Sequence, residues 1–161
     1  MLKGLHHAAY RCRDSEETRA FYEDFLEMPL ANAFEISETK TGRKTSVLHS
    51  FYEMEDGSFL AFFEAPENPF DFKRQDDFDL HIALEVSDVD LNRMFDKGKQ
   101  LGMEIRGISD HVVMDSIYFR DPNGYVVELT AKRDDHQAQM DQAAGSAHAM
   151  LASWQETKPS I

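Results

Sequence analysis

The sequence has almost no cysteine: Cys12 is the one thiol, so the chain cannot form an internal disulfide. A chain without disulfides fits a reducing compartment, and we expect a cytoplasmic protein. The sequence also has no apolar run long enough to cross a bilayer. Residues 1–4 show neither the apolar core nor the cleavage site of a secretory signal. We therefore expect no membrane partner.

Basic residues are few as well. The 161 residues include 17 Lys and Arg against 30 Asp and Glu, which gives a formal net charge of −13. Such a charge repels both a nucleic-acid backbone and an anionic membrane surface, so neither is expected as a partner. With 42% hydrophobic residues, the composition is that of a globular protein. The length suits one compact domain or two small packed modules.

An internal repeat organises the chain. Three residues of the first half recur 74 positions later: His7 as His81, Asp14 as Asp88 and Phe21 as Phe95. Near the end of each half the offset is 67, and there Ala61 corresponds to Glu128. A period near 70 residues indicates a duplicated module rather than a solenoid.

Each half has the pattern of one strand, one helix and three strands. In the first half these are strand 5–12, a helix opening at Asp14 or Ser15, and strands 30–37, 46–53 and 59–64. In the second half they are strand 81–86, helix 88–101, and strands 104–108, 116–120 and 125–131. The last two strands flank a Pro-Asn-Gly turn. We predict an α+β fold of two paired βαβββ modules, about 4–65 and 79–132, within one domain, 1–132.

Residues 133–161 are predicted to form a C-terminal helical extension. Apolar residues recur there at three- and four-residue steps, among them Met140, Met150 and Trp154. Gly145-Ser146 interrupts the pattern and argues against a single unbroken helix. Such an extension packs on the outer face of a sheet or on a second subunit; the alternative is a lid over a site.

The repeat singles out His7 and His81, which occupy equivalent strand positions. Glu128 lies in an apolar strand, where a carboxylate is costly to bury unless a positive charge meets it. Two imidazoles and one carboxylate form a ligand set that suits non-haem Fe(II), with open positions for substrate and dioxygen. Mn(II) and Zn(II) also accept this set. His6 has no repeat partner, and strand alternation predicts that it faces away from His7.

These residues resemble the vicinal oxygen chelate superfamily, which includes glyoxalases, extradiol dioxygenases, fosfomycin-inactivating thiol transferases and bleomycin-resistance proteins. The resemblance covers residues 4–132 and rests on three stretches: 7–14, 21–26 and 118–128. It implies a half-open curved sheet or barrel around a divalent metal held by His7, His81 and Glu128. It also implies a small chelating substrate and a homodimer.

Within the superfamily the sequence favours an extradiol-type dioxygenase. Glyoxalases have a fourth protein ligand where this chain has Ala61, and a tyrosine ten residues before the ligand glutamate, here Tyr118, is typical of extradiol enzymes. Tyr118 is then the candidate proton donor, and His111 is a further candidate for acid–base work because histidine titrates near neutral pH. His49 could also face the site. The alternatives are a lyase, isomerase or thiol transferase, for which Ni(II) or Zn(II) is the expected metal, and a binding protein.

Overall fold

A computed structural model describes residues 1–159 of the chain. The first half contains β1 (His7–Cys12), α1 (Ser15–Arg19), a π-helix (Ala20–Phe25), β2 (Leu30–Glu38), β3 (Lys44–Glu53) and β4 (Phe59–Glu64). The second half contains β5 (His81–Glu85), α2 (Asp88–Gln100), β6 (Ile105–Asp110), β7 (Met114–Arg120) and β8 (Val126–Lys132). The predicted α+β class and the paired βαβββ order are confirmed.

The strands form two four-stranded sheets with the same order. The first sheet runs β1-β4-β3-β2, with β1 parallel to β4 and the other neighbours antiparallel. The second runs β5-β8-β7-β6, with β6 and β7 antiparallel. β1 and β5 therefore hold the same place in their sheets, each beside the last strand of its half, as the repeat predicted.

By packing, the chain divides into two compact units. The first comprises residues 1–81 together with 120–127, and the second comprises 82–119 together with the chain from Glu128 onward. The turn between β7 and β8 thus packs with the first unit, so these units do not coincide with the sequence modules 4–65 and 79–132. The module boundaries stay a prediction of the repeat.

The first helix differs from its sequence pattern. Of the two residues at which the helix was expected to open, Asp14 is the cap, because its carboxylate accepts the backbone N–H groups of Glu16 and Glu17. After Arg19 the chain widens into a π-helix that buries three aromatic side chains, Phe21, Tyr22 and Phe25. Tyr22 lies 4.7 Å from Phe62 of β4, ring centre to ring centre. This helix therefore covers one face of the first sheet.

The C-terminal extension consists of two helices, α3 (His136–Ala144) and α4 (Ala147–Thr157), separated at Gly145-Ser146. Neither helix has a buried residue, so the described part of the extension does not pack closely on a sheet of its own chain. Packing on a second subunit stays a prediction. Trp154 is 56% exposed on α4. The last two residues of the predicted extension, 160 and 161, lie outside the described residues. No helix within 1–159 is long and apolar enough to cross a membrane.

The turn between β7 and β8 is built around the buried carboxylate of Asp121, which is 2% exposed. Its Oδ1 accepts the backbone N–H groups of Asn123 at 2.9 Å and Tyr125 at 2.8 Å. Its Oδ2 accepts the Tyr22 hydroxyl and the Asn123 amide, each at 3.1 Å. Burial raises the pKa of Asp121, and these donors oppose the rise by stabilising the ionised form.

The same turn is fixed to the first unit by two further features. The Asn123 side-chain carbonyl accepts the backbone N–H of Arg13 at 2.8 Å, just before α1. Gly124 has φ +93°, and a Cβ placed there would lie 2.1 Å from the carbonyl oxygen of Lys73. Only glycine fits that position, because it has no Cβ and readily adopts positive φ.

We expect Tyr22→Phe to lower the free energy of unfolding by about 1.5–3 kcal/mol, because it removes a hydrogen bond to a buried charge. Tyr125→Phe is the matched control: its hydroxyl donates to the neutral Arg11 carbonyl at 2.9 Å, and its loss should cost about 0.5–1.5 kcal/mol. Denaturant titration at pH 7 measures both. An equal cost for the two variants would contradict the charge-assisted bond.

The difference between the two variants should also depend on pH. The Tyr22 hydroxyl stabilises the ionised carboxylate, so the extra cost of Tyr22→Phe is present above the raised pKa of Asp121 and shrinks as pH falls through it. Because burial raises the pKa of Asp121 in the folded state, its ionisation lowers the free energy of unfolding as pH rises, whereas ionisation of an ion-paired acid raises it. Repeating the denaturant titrations at lower pH shows whether the difference between the two variants shrinks.

Candidate metal centre and catalytic groups

His7 is the first residue of β1 and pairs with Phe59 of β4. Its exposed ring lies edge-on to Phe51, with ring centres 5.6 Å apart. Its Nδ1 lies 2.7 Å from Nδ1 of His6, so the expectation that His6 faces away from His7 is wrong. The reason is that His6 precedes the strand, where side chains do not have to alternate between faces.

His81 is the first residue of β5, the same place in its sheet as His7 in the first. Its Nδ1 lies 2.7 Å from the backbone carbonyl oxygen of Asp77. Because a carbonyl oxygen only accepts hydrogen bonds, Nδ1 carries the proton of the neutral ring and the lone pair lies on Nε2. Histidines that bind a metal through one nitrogen commonly hold the other in this way.

Glu128 lies in β8 and is 4% exposed. Its Oε1 accepts the hydroxyl of Tyr118 on β7 at 3.2 Å. In β8 the neighbours Val127 and Leu129 point to the opposite face and are also buried. Glu128 is therefore a buried carboxylate with a hydroxyl donor, and its role as a metal ligand stays a prediction.

Tyr118 links Glu128 to His111. Nε2 of His111 lies 2.8 Å from the Tyr118 hydroxyl oxygen. The phenol has one proton, and it donates that proton to Glu128, so His111 donates its Nε2–H to the phenol oxygen. The result is a directed chain of hydrogen bonds from His111, which is exposed, to Glu128, which is buried. The structure thus brings together three of the five predicted site residues.

Among residues 1–159 there is no cluster of three or more His, Cys, Asp or Glu side chains that could hold a metal ion. The ligand set of His7, His81 and Glu128 therefore stays a prediction. The chemistry of these donors suits a divalent ion, since they comprise two imidazoles and a carboxylate. The tautomer of His81 also fits, because its lone pair lies on Nε2.

His49 lies on the same face of the first sheet as His7, a point that the sequence left open. His49 of β3 pairs with Phe63 of β4, and alternation along β4 puts Phe63 on the same face as Phe59, the partner of His7. The imidazole is 6% exposed, stacks on Phe63 with ring centres 3.7 Å apart, and has its Nδ1 3.0 Å from the Phe62 carbonyl. As in His81, the carbonyl places the proton on Nδ1 and the lone pair on Nε2.

The face of the first sheet that carries His7 and His49 is lined with aromatic rings around a small-residue floor. Ala9 of β1 pairs with Ala61 of β4, which in turn pairs with Phe51 of β3. The rings on this face are those of Phe34, Phe51, Phe59 and Phe63. Ala9 is exposed, whereas the neighbouring side chains cover Ala61 completely. The part of this face around Ala9 therefore suits a flat apolar group.

The chain belongs to the glyoxalase, bleomycin resistance protein and dioxygenase superfamily, whose model matches residues 4–129. No curated protein sequence matches the chain significantly.

Solved structures of the same fold are similar to this chain at low identity. One is FosX, a fosfomycin resistance protein from Listeria monocytogenes, which was crystallised as a glutamate-to-glutamine mutant with Mn(II) and 1S,2S-dihydroxypropylphosphonic acid. It is 22% identical to this chain, with a TM-score of 0.62, and the match covers 86% of this chain and 99% of that one. A glyoxalase/dioxygenase from Nostoc punctiforme is 20% identical, with a TM-score of 0.62 and coverage of 82% and 92%. A domain from Frankia sp. EAN1pec is 18% identical, with a TM-score of 0.65 and coverage of 83% and 100%.

Proposed function

We propose that this chain is a metal-dependent dioxygenase of the extradiol type that acts on a catechol-like substrate with two adjacent oxygen donors. His7, His81 and Glu128 are the proposed ligands, and Fe(II) is the favoured ion, with Mn(II), Zn(II) and Ni(II) as alternatives. When bound, such an ion lowers the pKa of its oxygen ligands and offers adjacent open positions for substrate and dioxygen. In the net reaction one ring bond beside the diol breaks, and both oxygen atoms enter the product.

The observation that carries the proposal is the hydrogen-bond chain from His111 through Tyr118 to Glu128. Tyr118 holds a proton on its hydroxyl directly beside the proposed carboxylate ligand. His111 stands behind it and is open to solvent, so it can restore that proton from water. This arrangement provides a general acid whose proton is replaceable, which a pure binding protein does not need.

The first sheet supplies the groups proposed to hold the substrate ring. The aromatic face around the exposed Ala9 suits a planar ring. His49, on the same face, presents an imidazole whose Nδ1–H is tied to the Phe62 carbonyl. Its Nε2 then accepts a proton, so we assign His49 as the base that receives a substrate hydroxyl proton.

A second candidate is the chemistry of the fosfomycin resistance proteins, to which the fold is similar over most of the chain. In that reading the substrate is a phosphonate rather than a catechol. A phosphonate dianion needs several cationic donors. The face of the first sheet described above carries Arg11, and its guanidinium is directed to the carbonyls of Ala65 and Asn68. A second cation, Arg106, lies 5.0 Å from the centre of the Tyr118 ring. The catechol is favoured by the aromatic face of the first sheet.

We also propose that the protein is a homodimer in the cytoplasm. Cys12, its one cysteine, is buried and forms no disulfide. A reducing compartment keeps both a free thiol and ferrous iron in these states.

Anaerobically purified protein should contain stoichiometric iron and consume oxygen when substituted catechols are added. The physical reason is that a ferrous site with two imidazoles and one carboxylate has open positions for both reactants. Metal analysis and an oxygen electrode measure the two quantities, with hydroquinone, whose hydroxyls are not adjacent, as the control substrate. Tight Ni(II) or Zn(II) without oxygen uptake, combined with protection of cells against fosfomycin, would favour the second candidate.

Glu128→Gln should weaken metal binding by more than about 100-fold, since even residues behind the ligands contribute about 10–100-fold. Glu85→Gln is the matched control, because Glu85 is an exposed strand glutamate that pairs with Lys132. Competition with a chelator gives the dissociation constant of each variant. Full occupancy of the Glu128→Gln variant would show that the ligand assignment is wrong.

Tyr118→Phe should retain metal at saturating concentration and slow turnover by roughly 100-fold, the lower end of general acid–base contributions. Tyr125→Phe, which removes a tyrosine hydroxyl bonded to a backbone carbonyl, is the control and should turn over at the normal rate. Oxygen uptake at saturating substrate gives kcat for both variants. An unchanged kcat for Tyr118→Phe would remove Tyr118 from the mechanism.

A further inference from the structure

The imidazoles of His6 and His7 are in direct contact. Their Nδ1 atoms lie 2.7 Å apart, and their rings meet edge to face with centres separated by 5.0 Å at an angle of 76°. Two nitrogen lone pairs would repel at this distance, so one N–H lies between the two atoms. Either His6 donates to His7, or His7 donates to His6.

We propose that His6 is a positioning residue that accepts the Nδ1–H of His7 and thereby directs the Nε2 lone pair of His7 to the metal. This inference rests on the proposed metal site. In the opposite direction His7 would carry its proton on Nε2 and could not bind a metal through that atom. The hydrogen bond made by one ring nitrogen decides the proton's place on the other.

His6 is itself held in place. Its backbone carbonyl accepts the N–H of Phe59 at 3.0 Å, which ties it to the start of β4. Its ring packs against the Phe59 ring with centres 6.0 Å apart. Phe59 is also the strand partner of His7, so the two imidazoles share one support. A fixed acceptor orients its donor at lower entropic cost than a mobile one.

The other two proposed ligands are held on the same principle. The Nδ1–H of His81 is bound by the Asp77 carbonyl, and Oε1 of Glu128 accepts the Tyr118 hydroxyl. Partners of this kind fix ligand orientation and typically contribute about 10–100-fold to metal affinity. His6 fills for His7 the role that a backbone carbonyl fills for His81.

The test compares His6→Phe, which keeps a ring against Phe59 but has no acceptor, with His6→Asn, whose side-chain carbonyl can accept. His148→Phe, a change at an exposed histidine of α4, is the control. Long-range ¹⁵N–¹H NMR of the metal-free protein shows which nitrogen of His7 carries the proton. Competition with a chelator gives the affinity of each variant for Mn(II) in the absence of substrate. We expect His6→Phe to move the His7 proton to Nε2 and to weaken Mn(II) binding about 10–100-fold. His6→Asn should keep most of the His7 proton on Nδ1 and most of the Mn(II) affinity.

Two results would overturn the inference: a His7 tautomer that is unchanged in His6→Phe, or a loss of Mn(II) binding in His6→Phe as complete as in His7→Phe. The second result would make His6 a ligand itself. Failure of the proposed metal site gives a different result. In that case His7→Phe would bind Mn(II) as tightly as the unmodified protein, while the tautomer of His7, measured without metal, would still change in His6→Phe.

Discussion

The buried carboxylate of Asp121 fixes the position from which β8 starts. Four donors converge on it, and they tie the turn to the π-helix through Tyr22 and to Tyr125, the residue just before β8. Because side chains alternate along a strand, a slip of one residue would exchange Glu128 with its neighbours. Val127 and Leu129 would then lose their apolar surroundings. The turn therefore decides which face of the sheet receives the carboxylate.

Directed hydrogen bonds then set the state of four of the proposed functional groups. A backbone carbonyl fixes the tautomers of His81 and His49. The single proton of the Tyr118 phenol fixes the direction of the chain from His111 to Glu128. These bonds are formed within the folded units and require no ligand. The groups are thus oriented without a substrate, which would lower the cost of binding and of proton transfer in the proposed reaction.

The sequence predicted the elements well because their signals are local. Asp14 caps its helix, Gly145 separates the two C-terminal helices, and every predicted strand is present within a few residues of its expected ends. The π-helix could not be predicted, because it arises where Phe21, Tyr22 and Phe25 are buried together against the sheet. That burial is a tertiary effect, and it overrides the local helical pattern.

For the site, the sequence predicted the residue types and their strands but not their contacts. The spacing of ten residues between Tyr118 and Glu128 agrees with their hydrogen bond, since it carries the chain around one tight turn to the adjacent strand. His111 lies in the connection between β6 and β7, whose path no periodic pattern encodes. His6 was assigned to the wrong face because strand alternation was extended one residue before the strand begins.

The two halves of the repeat carry different chemistry at equivalent positions. At the offset of 67 residues, Ala61 corresponds to Glu128, and Phe51 corresponds to Tyr118. The next pair along these strands, His49 and Phe63, corresponds to Ser116 and Thr130, which hydrogen-bond to each other at 3.2 Å.

The first half thus offers rings and small residues where the second offers hydroxyls and a carboxylate. Both sets lie on strands that the duplication made alike, so the backbone does not distinguish them. The difference is one of side chains alone, and it separates a surface suited to holding an apolar ring from one suited to handling protons. A duplicated fold that kept both halves identical would have had to compromise between these two demands. Divergence of the side chains removes that conflict, because the strand order is the same in both halves and each half needs only one kind of side-chain environment.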